Sequence, residues 1–378
     1  MKQQALSKIN KNKTDVNPKK ANFISRAKSS VFIVLYFLII VALAIFCDPQ
    51  CRLAPAFLSN KWLPFIFYVL IFCATICLNI PIAIEINNCF IQYKKIKNNI
   101  ILSLMLIFFE IFTIWIFPAF GYGFVNIDLF TWQIIFVSCL GLSTLLIFLF
   151  TIIYFRLNSI RVTKTILLGA LLIVLIHLTY IAGNYLIITK SWFVPVVLTI
   201  IPTINDSFAY FGGLIWGKHK MAPKLSPKKT WEGFSVGIIA TLCVSIGIII
   251  ALYYTNNPST NKNYSFIGSF MCWQWLNVNS LVPFLNDKQH LYWLITVCSS
   301  CLVIALVAVL GDLLFSYFKR VNQIKDYSNF IPGHGGILDR LDSFILTIVV
   351  YFLISIILCL CFNKFSTDSF LLSFFKFA

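Results

Sequence analysis

Two clusters of chemistry-bearing residues interrupt an otherwise apolar chain. The first lies in Gly311–Asp342 and carries Asp312, Lys319, Arg320, Lys325, Asp326, His334, Asp339, Arg340 and Asp342. Four of the chain's 13 acids fall between Asp312 and Asp342, with long apolar runs on both sides. Charge at a bilayer boundary is costly and usually functional. Asp312, Ser316, Lys319 and Arg320 are spaced i, i+4, i+7 and i+8, which puts them on one helical face. Asp339 and Asp342 are i, i+3 at the start of the last apolar run, on a shared face where free backbone N–H groups point. Two such acids repel each other near a low-dielectric boundary unless a cation or basic side chains face them. With Asp312 they form a set of oxygen ligands suited to Mg2+. Pro332-Gly333-His334-Gly335-Gly336 is a turn whose backbone can approach a ligand closely. Taken alone, His334 equally fits a plain loop histidine.

The second cluster is Asn205–Phe234. Asn205 and Asp206 sit inside an apolar run, where an acid either bonds between helices or faces a cavity. Gly212 and Gly213 allow close helix approach. Gly212-x-x-x-x-Gly217-Lys218 falls short of a phosphate-binding P-loop, because His219 replaces the metal-binding Ser/Thr and a membrane helix stands where a strand belongs. Ser226-x-x-Lys229 matches a serine-acylase pattern but lacks its companions. Leu225–Glu232 reads as a phosphate loop: a hydroxyl at Ser226, point charges at Lys228 and Lys229, and a turn stiffened by Pro227. A basic topogenic loop with an interfacial Trp231 has the same composition. Acids beside Lys and Arg, with no convincing Ser or Cys triad, point to phosphoryl or nucleotidyl transfer.

The elements that must position these groups follow from composition. The 378 residues are 59% hydrophobic and 11% charged, with mean hydropathy +0.87. Soluble domains carry about 25% charged residues. The expected fold is an all-α polytopic membrane protein with about nine transmembrane helices. Their expected spans are Val31–Cys47, Leu63–Ile84, Ile100–Phe120, Gln133–Phe155, Thr165–Ile188, Phe193–Trp216, Phe234–Tyr254, Tyr292–Phe318 and Ser343–Cys361. With a cytoplasmic N-terminus, 23 of the 30 Lys and Arg fall on the cytoplasmic side, and the bias keeps its sign at every loop. That puts the C-terminus on the opposite side and both chemical clusters on the cytoplasmic one.

The expected organisation is a basic disordered tail (1–30), an N-terminal membrane region of about five helices (31–190), a catalytic membrane region of about four (191–361) and a C-terminal tail (362–378). An external loop (255–291) carries Trp273, Trp275 and Phe284, suited to the membrane surface. The net charge of +17 would suit nucleic acid in a soluble protein. Here it is topogenic, and no compact basic domain exists to bind nucleic acid. Eight of the 12 cysteines fall in apolar runs as small hydrophobes, and neither Cys298-x-x-Cys301 nor Cys359-x-Cys361 has the partners of a zinc site. Cys47 and Cys51 could pair at the external boundary. No cleavable signal peptide is expected.

At these residues the chain resembles the phosphatidate cytidylyltransferases (CDP-diacylglycerol synthases). The resemblance rests on Ser316-x-x-Lys319-Arg320, Lys325-Asp326, Pro332-Gly333-His334-Gly335-Gly336-Ile337-Leu338-Asp339-Arg340-Leu341-Asp342, Leu225–Gly233, and Asn205-Asp206-x-Phe208-Ala209-Tyr210. The resemblance implies transfer of CMP from CTP to phosphatidate, with Mg2+, a second monovalent cation such as K+, and a homodimer. The implied catalytic set is Asp312, Ser316, Lys319, Arg320, Asp339 and Asp342. The metal ligands among them are Asp312, Asp339 and Asp342. Asp206, Ser226, Lys228, Lys229, Lys325, Asp326, His334 and Arg340 would bind substrate. The Gly-Ile-Leu-Asp-Arg-Leu-Asp-Ser form suggests a bacterial cell membrane, or the endoplasmic reticulum in a eukaryote. Two other readings compete. One is a CTP-dependent lipid-alcohol kinase. The other is a transporter with Asp206, Glu110 and His177 as a relay, which predicts polar groups at the midplane of several helices.

Overall fold

The computed structural model describes residues 31, 34–44, 62–91, 96–121, 129–158, 163–189, 193–255, 287–331 and 335–362. The tail 1–30, the Cys47–Cys51 pair, most of the 255–291 loop and the tail beyond 362 lie outside the described residues. Helix dominates the rest. In chain order the helices are α1 (Val34–Ala44), α2 (Trp62–Phe90), α3 (Ile96–Gly121), α4 (Leu129–Leu157), α5 (Thr163–Thr189) and α6 (Phe193–Trp216). They continue with α7 (Trp231–Thr255), α8 (Asp287–Val321) and α9 (Leu338–Phe362). A described helix underlies at least part of every expected apolar run. Among the described residues, four stretches are long and apolar enough to cross a membrane by length and composition: Phe65–Phe90, Ser138–Leu157, Lys164–Leu186 and Cys301–Val321.

One element departs from the all-helical expectation. Leu225–Glu232, expected as a loop, contributes the second strand of a hairpin and the start of α7. Strand β1 (Lys220–Ala222) pairs antiparallel with β2 (Ser226–Thr230), with Lys220 opposite Thr230 and Ala222 opposite Ser226. Fewer residues on β1 than on β2 span those two pairs, so β2 bulges and presents Pro227, Lys228 and Lys229. Thr230 ends the strand and caps α7, its hydroxyl accepting from Gly233 N at 3.1 Å.

Helix α8 has 35 residues, about 50 Å at 1.5 Å per residue. That exceeds a hydrocarbon core of roughly 30 Å, so its polar end can stand clear of the apolar layer. Its buried face packs Phe315 and Phe318 into one core with Ile82 and Ile86 of α2, Phe109 of α3, Phe155 of α4, and Leu338 and Ile345 of α9. The helices that carry the chemical residues are therefore fixed against the N-terminal ones. Helices α6 and α7 meet through glycine. A Cβ on Gly233 would fall 2.5 Å from the Ala209 carbonyl oxygen, and one on Gly237 would fall 2.8 Å from that of Asn205. Backbone cannot yield there as a flexible side chain could.

Gly237→Val is accordingly expected to cost ~1–3 kcal/mol or more, read as a lower melting temperature in detergent. Gly247→Val on the same helix, where nothing lies within 4 Å, is the control. Equal shifts for the two would contradict this packing.

Candidate active site

Helices α6, α8 and α9 and strand β2 converge on a cavity of about 530 Å3 lined by Asp206, Ser226, Lys228, Lys229, Asp312, Asp339, Arg340 and Asp342. The β2 bulge supplies its basic wall. Lys229 Nζ stands 2.6 Å from Asp312 Oδ2 and so ties the hairpin to α8. Ser316, one helical turn after Asp312, donates to the other carboxylate oxygen at 3.3 Å. The i, i+4 stripe on α8 thus orients its own acid. Opposite, Ser343 of α9 donates its hydroxyl to Asp206 Oδ2 at 2.9 Å and lies 3.4 Å from Asp342 Oδ1. Its backbone N–H also donates to Asp342 Oδ1, at 2.8 Å. Asp342 lies just outside the apolar span that begins at Ser343. Burial, and after it the neighbouring Asp312 carboxylate, push the Asp342 carboxyl above its ordinary value.

Glu232, at the start of α7, holds the chain between α6 and β1. It accepts from the backbone N–H of Lys218 at 3.2 Å and of His219 at 3.1 Å, and its Oε1 lies 2.6 Å from His219 Nδ1. Its own amide, followed by the His219 side chain, holds the Glu232 carboxyl down at about 2.

Asp339 lines the same cavity as Asp312 and Asp342 and is also held by its own neighbours. Its Oδ1 accepts from Lys319 Nζ at 2.8 Å, and its Oδ2 accepts from Tyr327 N and Gly336 N at 2.9 Å each. Each oxygen thus accepts from a donor of the chain itself, which ties Asp339 into the α8–α9 connection. Lys319 is buried in that ion pair, with its ammonium 5.4 Å from the centre of the Tyr327 ring. Arg320 is likewise engaged. Its Nε donates to the Leu225 carbonyl at 3.2 Å and its Nη1 to the Ile324 carbonyl at 3.1 Å, linking the hairpin turn to the chain after α8.

Of the remaining expected residues, Lys325 and Asp326 are exposed and do not line the cavity. His334 lies outside the described residues. The two acids and the histidine suggested for a relay have separate partners. Glu110 accepts from Asn79 at 3.0 Å, His177 Nε2 lies 3.2 Å from Ser143 Oγ, and Asp206 bonds Ser343. These bonds join neighbouring helices.

Sequence reasoning missed two residues. Ser343 lies between two acids, a role that needs the α6–α9 contact to be seen. Glu85 of α2, which begins a basic connecting loop in the sequence, is buried and reaches the start of α9. It accepts from Ile337 N at 2.7 Å and from Leu338 N at 2.8 Å. The available signal was the scarcity of acids beside so long an apolar run.

Among the described residues no three Asp, Glu, His or Cys side chains form a ready metal cage. The donor chemistry nonetheless fits Mg2+, which takes one or two carboxylates and completes its shell with water and substrate phosphates. Asp312 and Asp342 face one cavity and repel each other there, as a cation site requires.

A family model described as the cytidylyltransferase family matches residues 14–358. The phosphatidate cytidylyltransferase of Rickettsia conorii is 37% identical over 172 residues, 45% of this chain and 60% of that protein. That of Rickettsia bellii is 38% identical over 171 residues, 44% of this chain and 58% of that protein. The chloroplastic phosphatidate cytidylyltransferase 4 of Arabidopsis thaliana is 33% identical over 160 residues, 41% of this chain and 32% of that protein. The chain spans about three-fifths of the length of the two bacterial relatives.

The two α9 acids should separate on substitution. Asp339→Asn leaves Lys319 buried without its counter-charge and should cost ~3–5 kcal/mol. Asp342→Asn relieves a like-charge contact and should leave the melting temperature unchanged or raise it. Equal losses of stability would contradict the division of roles.

Proposed function

Since the chain belongs to the cytidylyltransferase family, we propose that it is an enzyme that transfers CMP from CTP to phosphatidate, giving CDP-diacylglycerol and pyrophosphate. The observation that carries this reading is the junction of two unlike spaces. The polar cavity shares Thr203, Arg340 and Phe344 with an apolar one of about 660 Å3 between α1, α2, α5, α6 and α9. A charged headgroup with acyl chains needs that pairing, and a soluble nucleotide can enter the polar part.

In this reading Ser226 and Lys228 on the hairpin receive the CTP phosphates. Lys229, held by Asp312, adds positive charge on the same wall. Arg340, at the junction, suits the phosphatidate phosphate. That group is a phosphate monoester, largely dianionic at neutral pH, so no side chain has to remove a proton to make it a nucleophile. One of its oxygens bonds to the α-phosphorus of CTP. The bond from that phosphorus to the α–β bridging oxygen breaks, and pyrophosphate leaves with the electron pair. Mg2+ held by Asp312 and Asp342 would neutralise phosphate charge and stabilise the leaving group. Lys319, Arg320, Ser316, Ser343 and Asp339 hold the walls in register. Positioning and charge neutralisation carry most of the catalysis in such transfers.

The same reading has all nine helices cross the membrane, with a cytoplasmic N-terminus and the site facing the cytoplasm. The Lys/Arg bias supports this arrangement.

Purified protein in detergent, given CTP, phosphatidate and Mg2+, is expected to form CDP-diacylglycerol and pyrophosphate in equal amounts. Asp342→Asn should lower kcat by at least about 100-fold while the protein stays folded. The reading fails if no CDP-diacylglycerol forms under conditions in which an established synthase works.

A further inference from the structure

One contact from the N-terminal helices to the start of α9 is made by a residue that does not line the cavity. Glu85 is 1% exposed. Its Oε1 accepts from Ser328 Oγ at 2.7 Å and from Ile337 N at 2.7 Å, and its Oε2 accepts from Leu338 N at 2.8 Å. Helix α9 begins at Leu338, and the first N–H groups of a helix have no partner within it. A side-chain oxygen from the residue just before the helix ordinarily supplies one. Gly336 and Ile337 have no such oxygen, so the acceptor comes from α2, some 250 residues earlier in the chain.

The turn is shaped for it. A Cβ on Gly336 would fall 2.7 Å from Glu85 Oε1. Gly335 has φ +86°, and a Cβ there would lie 3.2 Å from Asp339 Oδ2. Two carboxylates thus flank the Gly335-Gly336 turn, Glu85 from α2 and Asp339 from α9. Close behind, Ile82 and Ile86 share the core with Phe315, Phe318, Tyr327 and Leu338, so the carboxylate is carried on a rigid support.

We propose that Glu85 is a positioning residue. By holding Ser328, Ile337 and Leu338 it sets the start of α9, and with it the orientation in which Asp342 and Asp339 meet α8. The N-terminal helices thereby control the geometry of a site whose lining comes mainly from the C-terminal half. This inference rests on the catalytic role proposed for the cavity. The contact itself can be tested separately.

Glu85→Gln keeps the shape but turns one acceptor into a donor facing backbone N–H groups. The comparison variant is Glu110→Gln, another buried acid of the N-terminal helices, bonded to Asn79 and remote from the turn. Kinetics should be measured at a temperature where both variants are folded. Glu85→Gln is expected to lower kcat at least about tenfold below Glu110→Gln, since small misplacements cost large factors in rate. KM for CTP should stay within about threefold of wild type for both variants. Hydrogen exchange should quicken across 328–338 in Glu85→Gln alone.

Equal kcat in the two variants would overturn the proposal. So would unchanged exchange across 328–338, whatever the activity. If the wild-type protein makes no CDP-diacylglycerol, the catalytic reading fails, and the exchange comparison alone decides whether Glu85 holds the turn.

Discussion

The ion pair between Lys319 and Asp339, 2.8 Å long and closed inside the protein, is the constraint on which the rest of the site depends. It joins the C-terminal end of α8 to the first turn of α9. Burying two charges is costly, and the cost is offset only when hydrogen bonds satisfy what the pair leaves over. Here the backbone N–H groups of Tyr327 and Gly336 take the second Asp339 oxygen. The segment between the two helices therefore closes on one carboxylate. With that closure made, Asp312 on α8 and Asp342 on α9 face the same cavity.

Around this anchor the charges are arranged to need a ligand. Asp206, Asp312 and Asp342 line the cavity together with Lys228, Lys229 and Arg340. Two of these groups neutralise each other, Lys229 with Asp312. The remaining acids repel one another, which suits a divalent cation. The remaining bases suit phosphate. A cation and a polyphosphate brought together satisfy both sets, a balance that nucleotidyl transfer exploits. The apolar cavity beside Arg340 has room for acyl chains, which is what the proposed lipid substrate requires.

Much of this was legible in the sequence because it depends on local spacing. The i, i+4 relation of Asp312 to Ser316 predicted a shared face, and the hydrogen bond lies there. Apolar run length located the helices. The hairpin was not legible: β2 is short, contains Pro227 and paired lysines, and lacks period-two alternation, so it resembles a loop. The i, i+3 spacing of Asp339 and Asp342 shows a shared face but not what else Asp339 touches. Its actual donors, Lys319 and Tyr327, reach it through the closure of the α8–α9 connection. Glu85 was invisible for the same reason on a larger scale, since no spacing rule links α2 to the start of α9. Spacing shows which residues share a face. Whether an acid is free to bind a metal depends on which distant N–H groups fold against it.

The central claim is that a lipid phosphate attacks the α-phosphorus of CTP in this cavity. It is tested most directly by following the label from CTP carrying radioactive phosphorus at either the α or the γ position, with phosphatidate as acceptor. The account predicts that α label enters the lipid fraction and γ label leaves entirely as pyrophosphate. Transfer of γ label to lipid, with CDP as the other product, would contradict it.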